Sequence, residues 1–241
     1  MDHNLIVGTF NCCNSKSSTD ELKQLCDLCD IVVLQETWLL DIELDYLNNI
    51  DNRFYAKGIS SMSSTSKIFI GRPFGGIAIL WKKSIGQFCE IVDMSDTRML
   101  AIELNFDGKN ILLVNLYLPY DNCNNESEFM DYLTKMLMVI ESFPSPYVYF
   151  LGDLNANTNG STGISRFGNI LVTHCADNNL HLADTEVLTN DSFTFYSHAH
   201  NSTSWLDHIV TTTSGLDLIT DIKICSEFVS SDHLPVLLTL D

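Results

Sequence analysis

Tyr147-Val148-Tyr149-Phe150-Leu151-Gly152-Asp153-Leu154-Asn155 runs from a strongly apolar segment into a carboxylate and a carboxamide two residues apart. The apolar part reads as a strand, and Gly-Asp-Leu-Asn sits where it stops. Alternation along an extended backbone points the side chains of Asp153 and Asn155 the same way. A carboxylate so placed can take a proton from water, and the neighbouring amide can hold an oxygen that gains charge in a transition state. Gly, Asp and Asn also end strands for backbone reasons alone. The chemical reading therefore depends on other polar groups placed in the same way.

The rest of the chain supplies them. Strands are expected over Leu5–Phe10, Ile31–Gln35, Gly76–Trp81, Phe88–Val92, Leu100–Asn105, Ile111–Tyr117, Phe193–Tyr196, Trp205–Thr211 and Leu234–Leu240. Helices are expected over Thr19–Cys29, Asp41–Asn48 and Asn169–Asn178. The clearest helical period runs over Glu126–Phe143, through Phe129, Leu133, Met136, Leu137 and Ile140. This is a mixed α/β chain with more strand than simple βα alternation needs. With no long linker and no solenoid-type repeat, residues 1–241 read as one domain. Ser60–Ser66 reads as a loop.

Polar groups collect where the strands end: Asn11, Gln35-Glu36-Thr37, Tyr117-Leu118-Pro119, Asp153 with Asn155, and Ser231-Asp232-His233 before the last strand. Glu36 closes an apolar run, where a charge needs a cation or hydrogen bonds to offset its burial. An oxygen-only set of this kind suits a hard divalent ion such as Mg²⁺. His233 could bind metal, titrate in catalysis or hydrogen-bond in a core. Asp207, inside the apolar strand Ser204-Trp205-Leu206-Asp207-His208-Ile209-Val210, favours catalysis, because a carboxylate can fix a histidine tautomer and support its charge. His208 faces away from Asp207 in a regular strand and reads as structural.

Thirteen basic against 31 acidic residues give a formal net charge of -18, which argues against a polyanionic partner. The bases are unevenly spread. Between Asn52 and Cys89 there is no acid, while Arg53, Lys57, Lys67, Arg72, Lys82 and Lys83 all fall there. That segment is a candidate phosphate-facing surface, with Arg72, Lys82 and Lys83 as its test residues. Cysteines at 12, 13, 26, 29, 89, 123, 175 and 225 lie mostly among apolar residues, so reduced thiols and an intracellular, unsecreted chain are expected. Cys26-x-x-Cys29 has no second pair and reads as buried small hydrophobes. No stretch is long and apolar enough for a bilayer, so no membrane partner is expected.

Taken in order, Asn11, Gln35-Glu36-Thr37, Tyr117-Leu-Pro, Gly152-Asp153-Leu-Asn155, Ser204-Trp-Leu-Asp207-His-Ile and Ser231-Asp232-His233 resemble the endonuclease/exonuclease/phosphatase superfamily across nearly the whole chain. Phe193-Thr194-Phe195-Tyr196-Ser197 and the short turn containing His200 resemble most the apurinic-type endonuclease domains of non-LTR (LINE-type) retrotransposons. The resemblance implies a four-layer α/β sandwich, two packed mixed β-sheets flanked by helices. It also implies an Mg²⁺-dependent enzyme, with Mn²⁺ as the alternative ion, that nicks double-stranded DNA and leaves a 3′-hydroxyl to prime reverse transcription. Glu36, helped by Asn11 and Asp232, would hold the metal. Asp153 would activate water, Asn155 and Tyr117 would steady the transition state, and His233, oriented by Asp207, would donate to a phosphate oxygen. Thr194, Ser204, Leu206 and Arg166 would be candidates for DNA contact. A nuclear location and a reverse transcriptase domain in the same polyprotein are further implications.

Two positions depart from the pattern. Asn14 stands where many relatives have Gly, though Asn tolerates a left-handed backbone. Tyr120 follows Tyr-x-Pro where the abasic-site repair group often has Asn, which weighs against efficient abasic-site cleavage. Abasic-site repair, hydrolysis of a non-DNA phosphoester such as a phosphoinositide, sphingomyelin or poly(A), and a non-catalytic nucleic-acid-binding module that retains the fold are the competing functions.

Overall fold

The computed structural model describes residues 4–62, 72–160 and 162–241. Lys67 and the end of the expected 60–66 loop lie outside them. In chain order the strands and helices are β1 (Leu5–Asn11), α1 (Thr19–Leu28), β2 (Ile31–Gln35), β3 (Phe54–Ile59), β4 (Ile77–Lys82), β5 (Cys89–Val92), β6 (Met99–Phe106), β7 (Lys109–Tyr117), α2 (Glu126–Ser142), β8 (Tyr147–Asp153), α3 (Arg166–Asp177), β9 (Leu180–Leu182), α4 (Ala183–Val187), β10 (Phe195–Ser197), β11 (Ser202–Ser204), β12 (Asp207–Thr212), α5 (Thr213–Leu216), β13 (Ile219–Ile224) and β14 (Val236–Leu240). Two 3₁₀ helices, Asp41–Asn49 and Lys83–Phe88, complete them, the first in place of the expected α-helix.

Two six-stranded sheets, ordered β13-β14-β1-β2-β4-β3 and β5-β6-β7-β8-β12-β9, pack face to face, and β10-β11 forms a separate hairpin. Side chains alternate between two cores. Ile31 and Val33 of β2 meet Ile111 and Leu113 of β7 between the sheets, whereas Val32 and Leu34 face Leu22 and Leu25 of α1. Leu112, Val114 and Leu116 face the other way, onto Phe129, Leu133 and Met136 of α2 and Phe167 of α3. The result is the expected α/β sandwich with helices outside both sheets. Strands covered on both faces need no polar alternation, which is why they read as unbroken apolar runs.

The turns agree with local chemistry. Asp107 and Gly108 both have positive φ, 47° and 76°, as a two-residue hairpin between β6 and β7 requires. Ser165 caps α3 by accepting from the Gly168 N–H at 3.1 Å, which moves the helix start ahead of the expected Asn169. Sequence reading missed four strands: β3 and β13, the two edges of one sheet, where half-exposed faces carry polar residues such as Lys57, Asp221 and Lys223, and the three-residue β9 and β11, at an edge of the other sheet and in the separate hairpin.

Each sheet contains one parallel pair, β1 with β2 and β7 with β8. Asn11 pairs with Gln35 in one, and Tyr117 with Asp153 in the other. β12 and β14 run antiparallel to β8 and β1, so the residues before them arrive at the same end. The carboxyl ends of the parallel strands are where such sheets place ligands.

Candidate active site

Glu36 follows β2 with a left-handed backbone, φ 52°, that turns its side chain back across the strand ends. Its Oε1 accepts from the Tyr117 hydroxyl at 2.7 Å and from Asn11 Nδ2 at 3.4 Å, while Oε2 accepts from Trp38 Nε1 at 2.9 Å. Tyr117 therefore comes from one sheet and Asn11 from the other. Burial, then the Glu36 charge, pushes the Tyr117 hydroxyl well above its ordinary value, so it stays a proton donor.

Asp153 is the last residue of β8 and is buried. Its Oδ2 accepts from Asn11 Nδ2 at 2.9 Å and Asn155 Nδ2 at 3.4 Å, and its Oδ1 accepts from the Asn155 backbone N–H at 2.9 Å. Asn155 and Asp153 do meet, but not by strand alternation. Asn155 is left-handed, φ 52°, and closes a side-chain turn over Asp153 while Nδ2 also donates to the Leu118 carbonyl at 2.9 Å. Just before Asp153, Gly152 packs so tightly that an added Cβ would fall 1.9 Å from the Leu116 carbonyl oxygen.

His233 completes this side. Its Nδ1 lies 2.8 Å from Asp207 Oδ2, and its Nε2 is turned toward Asp153, 3.9 Å from Oδ2. Phe195 packs on the imidazole at 4.9 Å between ring centroids. The Asp207 and Leu206 backbone N–H groups both donate to Thr194 Oγ1 at 3.0 Å, which fixes the start of β12. Burial alone would lower the His233 pKa, but Asp207 and then Asp153 outweigh it and push it up to about 10. Burial pushes Asp153 up to about 7, opposed by the neighbouring imidazolium. Asp207 thus fixes the ring with Nε2 as the free donor. His208 points to the opposite face, between Asp184 Oδ2 at 2.8 Å and the Ala156 carbonyl at 2.9 Å, and is structural as expected.

Asp232 lies beside Asn11 through Cys13, whose Sγ is 3.2 Å from Asp232 Oδ1 and 3.5 Å from Asn11 Oδ1. Cys13 and Asn14 both have positive φ, 45° and 111°, so Asn14 does occupy the conformation that glycine would favour. Among the described residues, no Lys or Arg forms an ion pair with Glu36, Asp153, Asp207 or Asp232. Glu36 and Asp232, which have no Lys or Arg ion partner among the described residues, and the Asn11 amide fit a hard divalent cation that they would hold together. Asp153, Asp207 and His233 also bring ligand atoms within 4.8 Å of one another. That triplet suits a cation less, because Asp207 and His233 Nδ1 already satisfy each other.

The expected DNA-contact residues divide. Ser204 and Leu206 are partly exposed beside Asp207, and Arg166 is exposed at the first turn of α3, paired with Glu126. Thr194 is fully buried with its hydroxyl engaged by the β12 backbone, so it positions the site and does not reach DNA. The basic segment is split by the antiparallel pairing of β4 with β2. Ile77 lies opposite Gln35 at the site end, whereas the Lys82 N–H donates to the Asp30 carbonyl at the far end. Lys82 pairs with Asp30 at 2.9 Å, and Lys83 Nζ donates to the Asn52 carbonyl at 2.7 Å. Arg72 alone of the three test residues reaches the site, its guanidinium 4.7 Å from the Trp38 ring centroid. Sequence reasoning missed Trp38, Cys13 and Arg98, which donates to the Tyr117 carbonyl at 3.1 Å. Trp38, two residues after Glu36, had a readable position.

Two packed sheets whose strand ends gather acid, amide, phenol and an acid-held imidazole define a hydrolase of phosphoester bonds. The chain belongs to the Endonuclease/Exonuclease/phosphatase family, whose model matches residues 8–233. Family members use divalent metal ions. Comparison with curated proteins by sequence gives no match. Among solved structures, the AP endonuclease LMAP from Leishmania major is similar with a TM-score of 0.78 at 15% identity, covering 98% of this chain and 87% of that one. The endonuclease domain of TRAS1, a telomere-specific non-LTR retrotransposon, gives 0.74 at 19% identity, covering 99% and 98%. The 3′ phosphatase NExo from Neisseria, bound to product DNA hairpin, gives 0.73 at 16% identity, covering 98% and 99%. At these identities the likeness establishes the fold.

Proposed function

We propose that the chain is an Mg²⁺-dependent DNA endonuclease, with Mn²⁺ able to substitute, that leaves 3′-hydroxyl and 5′-phosphate ends. The observation that carries this reading is the convergence of His233 Nε2 and Asp153 Oδ2, 3.9 Å apart, across from Glu36 and Tyr117. Asp153 takes a proton from water, whose oxygen attacks the phosphorus. The P–O3′ bond breaks with its electron pair on the 3′-oxygen, which becomes the 3′-hydroxyl by taking a proton from solvent water. His233 donates from Nε2 to a non-bridging phosphate oxygen, while Asp207 supports its charge. The Tyr117 hydroxyl and the Asn155 amide border the space where the phosphorane charge develops. Glu36, with Asn11 and Asp232, would hold the Mg²⁺, which would supply charge neutralisation at the phosphate.

The similar TRAS1 endonuclease domain, of a non-LTR retrotransposon, favours a role in retrotransposition; in that role, as we propose, the nick primes reverse transcription by a reverse transcriptase domain of the same polyprotein in the nucleus. Exposed Tyr120 in place of the amide of the abasic-site group supports intact duplex DNA over abasic sites. Among the described residues no helix is long and apolar enough to cross a membrane. Supercoiled plasmid tests the reading. Nicking should require Mg²⁺, stop with EDTA, and fall by about 10²–10⁴ in Asp153→Ala and His233→Ala. Undiminished nicking by both variants, or faster turnover of a lipid or inositol phosphate, would overturn it.

A further inference from the structure

We infer that Trp38 is a two-sided positioning residue whose N–H edge holds Glu36 for the metal while its ring face seats Arg72 as a clamp on a DNA phosphate. The edge is the Nε1–H donating to Glu36 Oε2 at 2.9 Å. The face is the indole ring, 4.7 Å from the Arg72 guanidinium. One indole thus touches both the carboxylate that a cation needs and the exposed cation that a phosphate needs.

The backbone fixes the arrangement. Trp38 is left-handed at φ 55°, and its N–H donates to the Gly75 carbonyl at 2.9 Å, next to the Thr37 N–H donating to Gly76 at 3.1 Å. Gly75 and Gly76 have φ of 63° and 85°, and a Cβ at Gly76 would lie 2.6 Å from Thr37 Oγ1. Gly75 and Gly76, three and four residues after Arg72, are therefore tied directly to the Glu36–Trp38 turn. Two other bases of the same segment are already occupied, Arg53 with Asp27 and Asp51 and Lys82 with Asp30, and Lys57 lies on the edge strand β3. Among the described residues Arg72 has no carboxylate partner, and its side chain is exposed. A guanidinium stacked on an aromatic face keeps its N–H fork free for a phosphate.

The two sides have separate chemistry. The indole N–H neutralises part of one Glu36 oxygen and fixes the rotamer, as outer hydrogen bonds do for metal ligands. The ring holds Arg72 by its π density, independent of the N–H.

With Glu36 read as the metal ligand, as under the proposed function, two measurements on the whole chain separate the sides. Mn²⁺ affinity is read by electron paramagnetic resonance without DNA, and duplex affinity is read against salt in EDTA. Trp38→Phe should weaken Mn²⁺ binding about tenfold and leave the salt slope unchanged. Arg72→Gln should lower the salt slope by about one, and Trp38→Ala should do both. As a measurement that needs no variant to fold, the Trp38 Nε1–H resonance of the unaltered chain should shift on adding Mg²⁺. Wild-type Mn²⁺ affinity in Trp38→Phe, an unmoved resonance, or an unchanged salt slope in both Arg72→Gln and Trp38→Ala would overturn the inference. Undiminished Mn²⁺ binding by Glu36→Gln would instead remove the metal reading of Glu36 itself.

Discussion

Asn11 Nδ2 donates to Asp153 Oδ2 at 2.9 Å, joining the last residue of a strand in one sheet to the last residue of a strand in the other. The same nitrogen lies 3.4 Å from Glu36 Oε1. One amide therefore stands between the proposed water-activating carboxylate and the proposed metal-holding one. Asn11→Ala should lower plasmid nicking by about 10- to 100-fold, since it removes a group that would help hold the metal and that orients both carboxylates. It should also cost about 1–3 kcal/mol in urea unfolding by leaving buried acceptors underused. A wild-type nicking rate would show that Asn11 is only a structural bridge.

Gly152 sets the position of Asp153 through space that no side chain can enter. Its φ of 146° and the 1.9 Å approach of a Cβ to the Leu116 carbonyl make both conformation and contact unfavourable for Ala. Gly152→Ala should lose more than about 3 kcal/mol in urea unfolding. Gly108→Ala is the control: its φ is 76°, but nothing lies within 4 Å of the new methyl. It should lose only about 1–2 kcal/mol. Equal losses would mean that the Leu116 contact relaxes freely.

His208 and Asp184 give the fold a pH dependence away from the proposed metal site. Burial alone would lower the His208 pKa, but the adjoining Asp184 carboxylate outweighs it and holds the value above the ordinary 6.5. Protonated His208 therefore contributes stability that is fully present below 6.5 and is lost as pH rises through the raised folded value. Asp184→Asn should remove that slope and cost about 3–5 kcal/mol near pH 6. Thermal melts from pH 6 to 9 would check it. The same slope in both proteins would assign the dependence elsewhere.

Lys82 and Lys83 sit at the far end of β4 from the site. Charge reversal at either should leave the salt dependence of duplex binding unchanged, in contrast to Arg72→Gln. Fluorescence anisotropy between low and moderate salt separates the two outcomes. A lowered slope in Lys83→Glu would place DNA on that end of the sheet.

The layered fold was legible because strands covered on both faces carry unbroken apolar runs, as in Ile31–Gln35 and Ile111–Tyr117. The edge strands β3 and β13 were not, since half of each faces water and their composition resembles loops. Site residues were readable where a strand ended in an acid or amide, and the pairing of Asp207 with His233 followed from an acid inside an apolar strand. Side-chain direction was readable inside a regular strand, as for His208 against Asp207, and not beyond the strand ends. Thr194 turned inward to hold β12, and the single basic segment divided between two ends of a strand, because register and sheet order decide such matters and lie outside local composition.

Glu36, Asn11 and Asp232 reach the site from one sheet, and Tyr117, Asp153 and Asp207 from the other. The buried Gln35 Nε2 to Asn115 Oδ1 bond at 2.7 Å lies directly behind them and ties the sheets together at that end. The distance between the two halves of the chemistry is thus set by how thickly the interior is filled. A core substitution that spreads the sheets by a fraction of an ångström, without unfolding the protein, would act as a brake on turnover, so reaction rate becomes a ruler for interior packing.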